Sequence, residues 1–134
     1  MIARGKIQIF SCRGAREYAN RVIKELKNLN EDTRKYTDLK GKLKVRKFAD
    51  GEMEVDIGES IRKKDVYLFQ NCSQRNEQQL SINENKVELY HAIDALKRAQ
   101  ANSLTVFEPY SSPARSDRAT RRCSVGFWTH AKTM

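Results

Sequence analysis

No apolar run in this 134-residue chain approaches the ~20 residues needed to cross a bilayer. Met1-Ile2-Ala3-Arg4-Gly5 also lacks the continuous apolar stretch of a secretory signal, so a cytoplasmic protein without a membrane segment is the expectation. Cysteine is scarce. Cys12, Cys72 and Cys123 are odd in number and widely spaced, which excludes a fully paired disulfide framework and leaves no two at metal-ligand spacing. Reduced, mostly buried thiols follow. There is no Walker-type glycine loop and no GxGxxG, which argues against a P-loop nucleotidase or a dinucleotide-binding domain. No Ser-His-Asp or Cys-His arrangement can be assigned. His91 and His130 each lack a second ligand at metal spacing and read as structural or surface histidines.

Acidic residues are also lacking beyond Asp117, although basic ones continue to the end. The whole chain carries 26 basic and 17 acidic residues, a net charge of +9, which favours a polyanionic partner: nucleic acid, a nucleotide or a phosphorylated metabolite. Alternating Lys6-Ile7-Gln8-Ile9-Phe10 predicts a strand. Ser11-Cys12-Arg13-Gly14 predicts a turn, and Ala15, Tyr18, Ala19, Val22, Ile23 and Leu26 recur at helical spacing. Residues 28–42 are polar and aperiodic, as in a surface loop. Leu43 to Phe48, the Asp50-Gly51 turn, and alternating Met53, Val55 and Ile57 predict a projecting β-hairpin near residues 43–58.

Asp65-Val66-Tyr67-Leu68-Phe69-Gln70 is nearly unbroken in its apolar run, as a parallel strand buried on both faces would be. A polar loop over 71–84 precedes a helix marked by Leu89, Ile93 and Leu96, with Ala92, Ala95 and Ala99 permitting close packing. Ser103 to Phe107 predicts another strand, and 124–132 an incipient helix. The order implies an α/β domain with a mainly parallel sheet flanked by helices. No strand follows that last helix, so the domain is expected to belong to something larger.

Two segments carry chemistry. Phe48-Ala49-Asp50-Gly51-Glu52 combines an aromatic face that could stack on a base with carboxylates that could accept hydrogen bonds from an amine or a ribose hydroxyl. The same residues would also make an ordinary Asp-Gly turn with Phe48 packed beneath it. Arg115-Ser116-Asp117-Arg118 follows the Pro109-Tyr110 turn at the carboxyl end of a strand, where open α/β sheets bind ligands. It reads either as a phosphate site or as a solvated basic loop with one internal ion pair.

Taken in order, these motifs resemble a known family. Phe48-Ala49-Asp50-Gly51-Glu52 comes first, then Ile57-Gly58-Glu59-Ser60-Ile61-Arg62-Lys63-Lys64-Asp65-Val66. Ile93-Asp94-Ala95-Leu96-Lys97-Arg98-Ala99 and Pro113-Ala114-Arg115-Ser116-Asp117-Arg118 follow. From about Lys6 onward the chain resembles the N-terminal half of the ribose-phosphate pyrophosphokinases. Those enzymes transfer the diphosphate of MgATP to ribose 5-phosphate to make phosphoribosyl diphosphate for nucleotide biosynthesis. Their two domains have the type I phosphoribosyltransferase fold and assemble as dimers within hexamers.

The resemblance implies that 1–134 is one phosphoribosyltransferase-like domain that precedes the catalytic second half. It implies that Phe48, Asp50 and Glu52 reach adenine and ribose across a dimer interface. Arg115, Ser116, Asp117, Arg118 and Thr120 would contact ATP from the other subunit. The Mg²⁺ ligands and the ribose 5-phosphate loop would lie beyond Met134, so this stretch alone is expected not to catalyse the transfer. Ser116 stands where the family commonly has Gln, and Cys12-Arg13-Gly14 where it often has Ser and His-Pro. Residues 28–42 and 71–84 are longer than usual, the mark of a divergent branch. Two other readings remain: a non-catalytic regulatory paralogue, and a small basic nucleic-acid-binding domain. The latter would need aromatics interleaved with its basic residues, so nucleic acid is not the expected partner.

Overall fold

The computed structural model describes residues 5–29, 38–73, 78, 80–112, 114–118 and 122–134. Three parallel strands form its central sheet in the order β1 (Lys6–Ser11), β4 (Lys64–Phe69), β5 (Ser103–Phe107). β1 pairs with β4 from Lys6 opposite Lys64 to Ser11 opposite Phe69, and β4 pairs with β5 from Asp65 opposite Ser103 to Phe69 opposite Phe107. The two-residue period of a strand then separates two cores. Phe10, Val66 and Leu68 meet Leu89, Ala92, Ile93 and Leu96 of α2 (Ile82–Arg98). Ile9, Tyr67 and Phe69 meet Ala19, Val22 and Ile23 of α1 (Arg16–Asn28). A fully buried side chain such as Leu68 or Leu89 contributes roughly 1.5–3 kcal/mol over its exposed state.

β2 (Leu43–Lys47) and β3 (Met53–Ile57) form the antiparallel hairpin. Leu43, Val55 and Ile57 pack against the α2-side core, while residues 48–52 all stand exposed at the tip. Residues 38–41 depart from the expected surface loop: Leu39 is buried. Ile9 N–H donates to Leu39 O (2.6 Å) and Gly41 N–H to Ile9 O (2.8 Å), adding a short bridge at the edge of β1. Gly41 lies against the Phe10 ring, where a Cβ would come within 2.3 Å of it. α2 begins inside the expected 71–84 loop because Ser81 and Glu84 form a capping box, each side chain accepting from the other's backbone N–H. It ends with Gln100 in the left-handed region (φ 61°), where Ala101 N–H reaches back to Leu96 O. Among the described residues no helix is long and apolar enough to cross a membrane.

Candidate functional site

The hairpin tip is a closed turn with outward side chains. Phe48 N–H donates to Glu52 O (2.8 Å) and Gly51 N–H to Phe48 O (3.0 Å). Gly51 supplies the positive φ of 94° that the turn requires. Glu52 N–H donates to Asp50 Oδ1 (3.0 Å), which fixes that carboxylate beside the turn. Phe48 is not packed beneath it: the ring is 42% exposed and has the Arg46 guanidinium 5.9 Å from its centroid. An exposed aromatic ring on the same turn as two exposed carboxylates has no core to serve.

The second cluster follows β5. Arg115, Asp117 and Arg118 are exposed, and Ser116 is half-buried. Among the described residues no ion pair joins Asp117 to Arg115 or Arg118, so a solvated loop closed by its own ion pair does not form between them. Ser116 is committed to the chain itself. Its hydroxyl donates to Ser124 O (2.7 Å) and accepts from Gly126 N–H (3.3 Å), and its carbonyl accepts from Phe127 N–H (3.3 Å). Gly126 and Phe127 open α3 (Gly126–Thr133), whose first N–H groups have no intrahelical partner. Ser116 supplies them one. Thr120 lies outside the described residues.

Between tip and loop stands the first turn of α2. Lys47, next to Phe48, pairs with Glu84 at 2.8 Å. On the other side Ser81, Ile82 and Asn83 face Tyr110, Ser112, Ala114 and Arg115 across a cleft of about 330 Å³. The Lys47 ammonium, followed by the Ser81 backbone, holds the Glu84 carboxyl down to about 2. Within one chain the tip and the loop thus flank one helix end. Among the described residues no hydrogen bond or ion pair joins them directly.

Two buried ionic clusters escaped sequence reading. Glu88, fully buried on α2, accepts from Arg13 N–H (2.7 Å) and Arg13 Nε (2.8 Å), and pairs with Nη2 at 2.8 Å. Burial first, and Glu88 second, push the neighbouring Cys12 thiol well up. The other cluster joins α2 to α3. Lys86 and Tyr90 of α2, Glu108 at the exit of β5, and His130 of α3 converge with Cys72 nearby. Lys86 pairs with Glu108. His130 Nε2 lies 2.8 Å from Lys86 Nζ and 3.3 Å from Glu108 Oε2, and Nδ1 lies 2.8 Å from the Tyr90 hydroxyl. Burial works against the Glu108 carboxylate, but Lys86 and Cys72 outweigh it and hold its pKa below the usual range. Burial and Glu108 push the Cys72 thiol up. Cys12, Cys72 and the exposed Cys123 are all free thiols. Among the described residues no three His, Cys, Asp or Glu side chains could hold a metal.

Residues 7–134 match the family described as the N-terminal domain of ribose phosphate pyrophosphokinase. The chain is 38% identical over 115 residues to ribose-phosphate pyrophosphokinase 1 of Streptococcus pneumoniae serotype 4, covering 86% of this chain and 31% of that protein. It is 39% identical over 116 residues to the Listeria monocytogenes serovar 1/2a protein of the same name, covering 87% and 31%. The crystal structure of phosphoribosylpyrophosphate synthetase from Mycobacterium smegmatis superposes with a TM-score of 0.78 at 27% identity, over 96% of this chain and 38% of that one. The chain thus spans about a third of the length of the curated relatives it matches.

Proposed function

Because the chain belongs to the family of the N-terminal domain of ribose phosphate pyrophosphokinase, we propose that it forms the ATP-binding part of a ribose-phosphate diphosphokinase. In the whole protein, diphosphate from MgATP would pass to ribose 5-phosphate in a cytoplasmic step of nucleotide biosynthesis. Phe48 stacks on the adenine, and Asp50 and Glu52 accept from its amine or from the ribose hydroxyls. Arg115 and Arg118 take the phosphates by charge-assisted hydrogen bonds, and Asp117 and Thr120 are further contacts to ATP. Ser116 serves the site as the brace of its loop. Mg²⁺ accompanies the nucleotide, and its protein ligands belong to the catalytic second half of the whole enzyme.

The observation that carries this reading is the exposed Phe48 ring on the same tight turn as the exposed carboxylates of Asp50 and Glu52. Such a surface invites a planar ligand with hydrogen-bond donors. As the family resemblance implies, two copies of the chain would complete one site, each lending its tip to the other's loop. These 134 residues form a binding unit within that scheme and belong to one phosphoribosyltransferase-like domain. Titration calorimetry with ATP tests the proposal. Phe48→Ala and Arg115→Ala should each weaken binding about tenfold, the loss of one stacking or one charged contact. Mixing the chain with MgATP and ribose 5-phosphate should release no AMP. Binding indifferent to both substitutions would refute the site.

A further inference from the structure

We propose that His130, Lys86, Tyr90 and Glu108 are positioning residues that set the Arg115 loop in its nucleotide-binding shape, an inference that rests on the reading of that loop as part of an ATP site. The buried cluster fixes both ends of one connection. Glu108 is the residue by which the chain leaves β5, and His130 sits in α3, where the connection ends. Both meet on Lys86, one turn of α2 below Tyr90. Lys86 and His130 are 4% and 7% exposed. The middle of the connection is tied to the same helix, because Ser116 engages Ser124, Gly126 and Phe127. Arg115 is its immediate neighbour. A hydrogen-bonded path therefore runs from α2 through His130 and α3 to Ser116, the chain neighbour of Arg115.

Stability gives little reason for this arrangement. Apolar side chains of similar volume would hold α3 at least as well as a buried ammonium, carboxylate and imidazole. They would not fix its rotation and height. The ring nitrogens do that: Nε2 lies 2.8 Å from Lys86 Nζ and Nδ1 lies 2.8 Å from the Tyr90 hydroxyl, so both edges of the ring are held by α2. A slip of α3 by one residue breaks both bonds and carries Ser116 away from the helix start. Ser111 Oγ adds a bond to Glu108 Oε2 (3.3 Å), extending the same hold into the loop.

The test compares ATP affinity, by calorimetry, of the unaltered chain with Arg115→Ala, His130→Ala, His130→Gln and Tyr90→Phe. Amide exchange is followed at residues 114–118 and 126–127. His130→Ala should weaken ATP about tenfold, and Gln, which can still accept from Lys86, should restore part of that. Tyr90→Phe, which keeps the ring and the fold, should shift affinity the same way by a smaller factor. Exchange should quicken in those two segments while the β1 and β4 amides keep their protection. Should His130→Ala fail to fold, Tyr90→Phe and the exchange pattern decide alone. Affinity that depends on Arg115 but not on His130 or Tyr90 overturns the positioning role and leaves the site standing. No binding by the unaltered chain, or binding indifferent to Arg115, overturns the site and this inference with it.

Discussion

Replacing Glu88 by alanine should be among the most damaging single changes this fold can suffer. The carboxylate is fully buried and satisfies the Arg13 backbone N–H and two guanidinium nitrogens, all within 2.8 Å, while the Arg13 side chain is only 18% exposed. Alanine leaves a mostly buried cation unpaired, an N–H without an acceptor and a void on α2. Removing one partner of such a pair costs about 3–5 kcal/mol, out of a total that in domains of this kind is roughly 5–15 kcal/mol. The expected fall in melting temperature is about 10–25 °C. Far-UV circular dichroism in urea and on heating is the suitable probe, because Trp128 is 62% exposed and reports the core poorly. Exchanging both partners, Arg13→Met with Glu88→Leu, removes the buried charge altogether and should recover most of the loss. If Glu88→Ala stays within about 1 kcal/mol of the parent, or if the double variant is no better than the single, the pair does not have the energetic role assigned to it.

Glu84 should titrate with a midpoint near 2, read by carboxyl NMR. Since its folded value lies below the ordinary 4.5, its stabilising contribution is complete above that pH and fades as pH falls toward 2. Lys47→Met should raise the midpoint more than Ser81→Ala, and the reverse order would contradict the assigned causes; at 35% side-chain exposure the effect on stability is small. Gln100→Gly should stabilise the chain by about 1 kcal/mol, because Gln100 is held at a positive φ that glycine adopts freely. A melting temperature unchanged or lowered by that substitution would show that the turn is not strained.

Local signals were readable where they were repeated. The unbroken apolar run from Val66 to Phe69 announced a strand covered on both faces, and Leu89, Ile93 and Leu96 announced the buried stripe of α2. The start of α2 was also written, as Ser81-Ile82-Asn83-Glu84, but a polar loop reading of 71–84 concealed it. Leu39 gave no periodicity to read: a single bridge, Lys40 to Ile9, ties its segment to β1. At the candidate site the residue types of the hairpin tip and the basic loop were legible. Their relation through the first turn of α2 was not, because Lys47 and Glu84 are far apart in the chain. The Lys86–Glu108–His130 cluster was invisible for the same reason. Lys86, Glu108 and His130 each look like ordinary surface residues until the fold brings them together, and the commitment of Ser116 to α3 depends on a helix whose own sequence signal was weak.

The pairing of β1 with β4 has a consequence for how the chain comes to be folded. β4, α2 and β5 follow one another and bring most of one core with them, including Val66, Leu68, Leu89 and Leu96. β1 must instead wait for a partner on the far side of α1 and the hairpin. Long-range pairing of this sort is costly to close and comes late. Leu89→Ala is therefore expected to slow refolding in stopped-flow, whereas Ile23→Val should chiefly speed unfolding; the opposite partition would place the nucleus around α1. During synthesis, which proceeds from the N-terminus, Phe10 leaves the ribosome well before Val66 and Leu68 exist to cover it. Of the three sheet strands, β1 waits longest in the chain for its partner.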